Sequence, residues 1–200
     1  MPEKILIIIS GIPCSGKSTI TSYLENYYKS SFNIIVIERD AIFHEIITQN
    51  LGIGRNKRDK LISAKMNELY EVYNNLSLNT ILIVDSCSGS DGVKTYIQKK
   101  ATSSTKHLLI NILPKLIQLE SGDGILDIPF YIQRAINRPP HQVFPHECKS
   151  QILELYRCHK HWTHTKEFST FIIIDFNAEW LLSDDNPNIQ MIHKSIESID

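Results

Sequence analysis

The stretch that most constrains this chain is KILIIIS followed at once by GIPCSGKST, residues 4–19. A short run of β-branched residues feeds a loop of the pattern GxxxxGKS, and the residues from Lys17 onward have helical spacing. Each fixed residue of the pattern has a physical reason. Gly11 and Gly16 permit positive φ and let backbone N–H groups close around an anion. Lys17 brings a point charge, Ser18 offers a hydroxyl to a divalent cation, and the helix that follows points its positive end at the same anion. Pro13, Cys14, Ser15 and Thr19 complete the loop. A strand–loop–helix of this kind cradles the phosphates of ATP or another nucleoside triphosphate with Mg²⁺.

Four further apolar runs, 33–38, 80–85, 107–113 and 170–176, share the β-branched character of 4–10. Continuous rather than alternating apolarity buries both faces of a strand, as in a parallel sheet covered by helices. Segments 17–29, 41–51, 60–78, 92–101 and 147–162 have helical length between them. The pattern predicts a doubly wound α/β fold of the P-loop NTPase type, with five parallel strands, helices on both faces and right-handed crossovers. Two hundred residues suit one domain, 1–200. The least regular part, about 120–145, reads as a mobile helical lid, and 189–199 as a last helix of weak signal.

With 21 basic and 22 acidic residues, the net charge of -1 gives no global field for nucleic acid, so any such binding needs a local patch. The four cysteines show no CxxC pair, which suits a reducing compartment. The start of the chain lacks signal-peptide character and no run reaches membrane-spanning length, so the expectation is an intracellular, cytoplasmic protein with the nucleus left open and no membrane partner.

Asp85 ends the run TILIV and is the expected second ligand, with Ser18, on the magnesium side. Asp40, in IERDA, stands in the matching place after the second strand. It can accept the proton of an attacking hydroxyl, or cap the helix 41–51, or both. Arg39 can orient the acceptor. Arg134 and Arg138 are spaced i, i+4 before Pro139-Pro140, so that two guanidinium groups share one helix face and can close over a triphosphate. Asn56-Lys57-Arg58-Asp59 has the letters of a guanine-reading NKxD but no strand leading into it, and reads as coincidence. The cluster 54–60, between two helices, is basic enough to hold a polynucleotide backbone, although charge runs are more often solvated faces. Cys148, Cys158, His159, His161 and His164 include metal-type ligands without a spacing that fixes a tetrahedral site.

In this order of motifs, GIPCSGKST, ERD, VDS and RAINR, the chain resembles the P-loop polynucleotide kinase group. Arg134-x-x-x-Arg138 followed by His141-Gln142 is similar to the lid of the kinase domain of fungal-type tRNA ligases. The resemblance implies phosphoryl transfer from ATP to the 5′-hydroxyl of a polynucleotide, RNA ahead of DNA, in RNA repair beside other end-processing enzymes. It implies Lys17 and Ser18 on phosphate and metal, Asp40 as base, and Arg134 and Arg138 in the lid, with His141 and His146 near phosphates. Cys14 departs from it, standing where a glycine is common, and the phosphatase and ligase motifs of larger end-healing enzymes are missing. Two alternatives use the same first residues: a small-molecule kinase acting on a nucleoside, sugar or cyclic acid, and a regulatory nucleotide-binding module without catalysis.

Overall fold

The computed structural model describes residues 4–76, 79–86, 99–137, 149–160, 170–174 and 183–198. Strands β1 (Lys4–Ser10), β2 (Asn33–Glu38), β3 (Thr80–Ser86), β4 (Lys106–Ile112) and β7 (Thr170–Ile174) form one sheet in the order β2-β3-β1-β4-β7. Every pairing in it is parallel. The loop strand β1 lies at the centre, and its side chains from Ile5 to Ile9 are at most 1% exposed. Aliphatic side chains buried this completely contribute about 1.5–3 kcal/mol each, which is why the β-branched runs were so legible.

Alternation along the strands divides the core into two layers. Ile5, Ile7, Ile9, Ile81, Ile83, Leu108 and Ile110 face helices α1 (Lys17–Tyr28) and α6 (Pro187–Glu197). Leu6, Ile8, Leu82, Val84 and Leu109 face α2 (Arg39–Gln49) and α3 (Arg55–Asn75). Helices therefore cover both faces of a parallel sheet.

Two local expectations change. The region read as an irregular cover from about 120 holds the second strand of an antiparallel hairpin, β6 (Gly124–Leu126) against β5 (Leu116–Gln118) just before it, then helix α4 (Ile128–Ile136), whose cap is Asp127 accepting from the Phe130 N–H at 3.1 Å. Gly122, at φ +86°, supplies the left-handed turn of the hairpin. Helix α3 starts at Arg55, five residues before the apolar periodicity begins, so the basic cluster forms its first turns rather than a connection between helices. The NKxD letters lie inside that helix, which removes them from any base-reading loop. Helix α5 (Lys149–Lys160) covers most of the helix expected over 147–162. The helix expected over 92–101 falls mostly outside the described residues, as do Arg138, His141, Gln142, His146, Cys148, His161 and His164. No described helix is long and apolar enough to cross a membrane.

Candidate functional site

The loop after β1 turns tightly because its residues adopt unusual backbone angles. Gly16 has φ 101° and ψ 14° and caps α1, with Thr19 and Ile20 N–H groups both donating to its carbonyl. Cys14 also sits at positive φ, 61°. A left-handed conformation at a residue with a Cβ costs roughly 1–2 kcal/mol. The side chain is only 2% exposed and joins Ile12, Leu126, Tyr131, Ala135 and Ile152 in an apolar cluster that offsets this cost. That cluster explains the departure from glycine: Cys14 fastens the loop to α4 and α5. Gly11 cannot be replaced so easily, because a Cβ there would lie 2.6 Å from Ser15 Oγ and 3.2 Å from Ile112 Cβ.

The three expected donor-side groups meet. Ser18 Oγ donates to Asp85 Oδ2 at 2.8 Å, and Lys17 Nζ lies 3.8 Å from Asp85 Oδ1 while donating to the Ile12 carbonyl at 3.2 Å. Side-chain exposure is 7% for Lys17 and 10% for Asp85. One carboxylate thus holds the ammonium and the hydroxyl in place. Ser15 Oγ is wholly buried in the loop and has no hydrogen-bond partner, an unsatisfied polar atom of the kind a bound anion resolves. The residues fit a triphosphate. They also fit Mg²⁺, whose hard oxygen ligands would be Ser18 and Asp85. Among the described residues no group of three His, Cys, Asp or Glu could hold a metal by itself, so phosphate oxygens and water would complete the shell.

The acceptor side differs from expectation in register. Parallel pairing sets Glu38, not Asp40, opposite Asp85. Glu38 is the last residue of β2 and the N-cap of α2, and Asp40 lies in the first turn of that helix without capping it. Burial pushes the Glu38 carboxyl up to about 7, with the charges of Asp85 and Asp40 adding to the rise and Lys17 opposing it. Glu38 was missed, although the second and third apolar runs both end in an acid, VIE and IVD, and this shared ending is the signal for it. Arg39 and Asp40 are exposed.

Arg134 lies on α4, half-buried, with its guanidinium 5.5 Å from the Phe130 ring. The helix is seated on the loop through Tyr131 and Ala135. The Tyr131 hydroxyl accepts from the Lys115 N–H at 2.7 Å, and burial raises its pKa to about 12. Whether Arg138 extends this face falls outside the described residues, as does most of the cysteine–histidine cluster.

The family model described as chromatin associated protein KTI12 matches residues 1–119, from β1 through the first strand of the hairpin. The chain belongs to the KTI12 family. The match ends before the segment from Arg134 to Gln142 that resembles the lid of fungal-type tRNA ligases, and so does not bear on that resemblance. A search of curated proteins finds no match. Among solved structures, the chain is similar to a candidate kinase from Chloroflexus aurantiacus, at 17% identity and TM-score 0.63, covering 96% of this chain and 98% of that one. It is similar to Kti12 of Chaetomium thermophilum in complex with ADP-AlF3, at 16% identity and TM-score 0.56, covering 96% of each. It is also similar to shikimate kinase from Bacteroides thetaiotaomicron, at 13% identity and TM-score 0.50, covering 97% and 99%. These likenesses establish for the KTI12-family chain a P-loop kinase-like fold.

Proposed function

We propose that this chain binds a nucleoside triphosphate with Mg²⁺ and transfers its terminal phosphoryl group to a hydroxyl, the first candidate acceptor being the 5′ end of a polynucleotide, RNA ahead of DNA. The carrying observation is the donor set: Ser18 Oγ 2.8 Å and Lys17 Nζ 3.8 Å from one partly buried carboxylate, Asp85, at the mouth of a glycine-bounded loop. The cation, when bound, would neutralise charge on the phosphates. Lys17 stabilises charge on the moving phosphoryl group, and Ser18 and Asp85 hold the metal side. Glu38, beside Asp85 on the neighbouring strand, supports the water shell on that side. Asp40 draws the acceptor's proton, and Arg39 and Arg134 orient and neutralise.

The exposure of Arg39 and Asp40 supports an acceptor too large to be enclosed, and so favours a polynucleotide end over a small alcohol. The basic first turns of α3 add to this only in part. Arg55 and Arg58 lie 3.8 and 3.4 Å from Asp59, and the Arg58 guanidinium sits 4.9 Å from the Phe43 ring.

The test offers ATP labelled on its terminal phosphate to a 5′-hydroxyl oligonucleotide, a panel of nucleosides and sugars, and water alone. Label on the oligonucleotide is expected. Label on small molecules only would replace the acceptor class. Free phosphate without any labelled acceptor would replace transfer by hydrolysis, the chemistry of a nucleotide-driven module.

A further inference from the structure

The last helix meets the phosphate-loop helix through one polar side chain set in an apolar stripe. Ile189, Ile192 and Ile196 of α6 pack with Ile20 and Leu24 of α1, and His193 lies among them at 9% exposure. Its ring rests on Tyr27, with centroids 4.1 Å apart at 34°. Nε2 is 3.0 Å from the Tyr23 hydroxyl and Nδ1 is 2.7 Å from the Tyr28 hydroxyl. Each of these tyrosines also reaches a carboxylate. The Tyr23 hydroxyl is 2.7 Å from Asp184 Oδ1, and the Tyr28 hydroxyl is 3.2 Å from Glu197 Oε1. Asp184, Tyr23, His193, Tyr28 and Glu197 thus form one unbranched chain between α1 and α6.

The chain has too few hydrogens for its contacts. Its four contacts need four hydrogens, and the carboxylates only accept. Each tyrosine brings one hydrogen. Burial, with Asp184 beside it, pushes the Tyr23 phenol up to about 12, and burial raises that of Tyr28 too. A neutral imidazole brings one more, so either tautomer leaves the chain one short. With the hydrogen on Nε2, Tyr28 serves Nδ1 or Glu197 but not both. With it on Nδ1, lone pairs of Nε2 and of the Tyr23 oxygen face each other. An imidazolium supplies the fourth hydrogen and closes every contact at once. Burial opposes that charge, whereas Glu197 and Asp184 favour it. Among the described residues, the titratable groups facing the ring are Tyr23, Tyr27 and Tyr28 of α1, Glu197 of α6, and Asp184 of the segment before it.

We propose that His193 is a positioning residue for the phosphate loop, taking a proton from water to lock α1, and with it Lys17 and Ser18, onto α6 in a single hydrogen-bonded arrangement. This rests on the reading of the loop as a triphosphate site. Lys17 and Ser18 open the same helix, so an anion held by them gains from a helix fixed in one place. By linkage, a nucleotide that prefers the locked form draws the proton in. The buried charge costs the ligand-free chain stability, and the bound nucleotide offsets that cost.

The test follows the His193 ring by NMR through a pH titration of the full chain, with and without ATP–Mg²⁺. The nucleotide should raise the midpoint. In parallel, ATP–Mg²⁺ affinity is measured at pH 7.5 and 5.5 for the wild type, His193→Gln and Glu197→Leu. Relative to His193→Gln, the wild type should tighten by about threefold as pH falls, within the worth of one hydrogen bond. That ratio cancels protons taken up by the nucleotide and by Glu38. Glu197→Leu leaves three hydrogens for three contacts, so it should follow His193→Gln although His193 is still present. A ratio that stays constant with pH overturns the proposal, and so does a Glu197→Leu variant that keeps the wild-type response. A midpoint that the nucleotide leaves in place or lowers also overturns it, and that measurement decides even where a variant fails to fold. A chain that binds no ATP at either pH sinks the triphosphate reading and the lock together. The expected pH response without transfer to any acceptor removes the kinase reading and upholds the lock.

Discussion

The two sides of the sheet's carboxyl edge are built to different standards. On the donor side, Lys17, Ser18 and Asp85 are locked to one another, and the loop beneath them is sealed by its own apolar cluster. On the acceptor side, Arg39 and Asp40 stand exposed at the start of α2. Two strand positions separate β2 from β1, about 10 Å at the usual spacing. Glu38 bridges the two sides, half-buried and raised in pKa by its surroundings. A phosphate cradle must be preorganised to act on developing charge, whereas an acceptor that arrives as part of something large brings its own surface and needs only a few exposed groups to meet it.

Breaking the rigid side should cost most. Lys17→Ala is expected to lower phosphoryl transfer on the order of 10³-fold and to weaken nucleotide binding with it, read by single-turnover transfer and by calorimetry. Breaking the open side should separate the two readouts. Asp40→Asn is expected to cost about 10²-fold in transfer with ATP affinity intact. If Glu38→Gln carries that loss and Asp40→Asn does not, the proton acceptor belongs one step further into the sheet.

A smaller effect concerns how the donor helix is anchored. Burial holds the His193 pKa below its ordinary value, against the opposing pull of Glu197 and Asp184. Because protonation is disfavoured in the folded chain, the stabilising contribution is complete above the unfolded pKa of about 6.5 and is lost as pH falls from there towards the folded value. Glu38, raised to about 7, gains stability as pH falls through the same window, so the His193 effect is read as a difference: between pH 7.5 and 5.5 the melting temperature of the ligand-free wild type should fall by a few degrees relative to that of His193→Gln. Smallest is Arg55→Ala. Its guanidinium is 84% exposed and pairs with Asp59 at i, i+4, so stability should move by no more than about 0.5 kcal/mol. If α3 touches a polynucleotide backbone, the salt dependence of oligonucleotide binding should fall by about one charge.

The central strands and the phosphate loop were legible because their signals are local: a run of β-branched residues, and glycines at fixed distances from a lysine. Pairing across strands is not local. That Glu38 and not Asp40 stands opposite Asp85 is set by the register of β2 against β3, which no stretch of either segment carries alone. The early start of α3 was hidden because its first turns are polar, anchored by ion pairs rather than by an apolar stripe. The hairpin escaped notice because each of its strands is three residues long, below the length at which alternation can be recognised. The tyrosines of α1 carry no signal of their own in the sequence, because it is α6, some 165 residues later, that brings His193 against them.

Cys14 has one more consequence. Its side chain is buried with Tyr131 and Ala135, so a thiol-directed reagent can reach it only in moments when helix α4 has come off the loop. The speed of alkylation is therefore a clock for that parting, and a nucleotide that clamps the two together would slow it without any label being added to the protein.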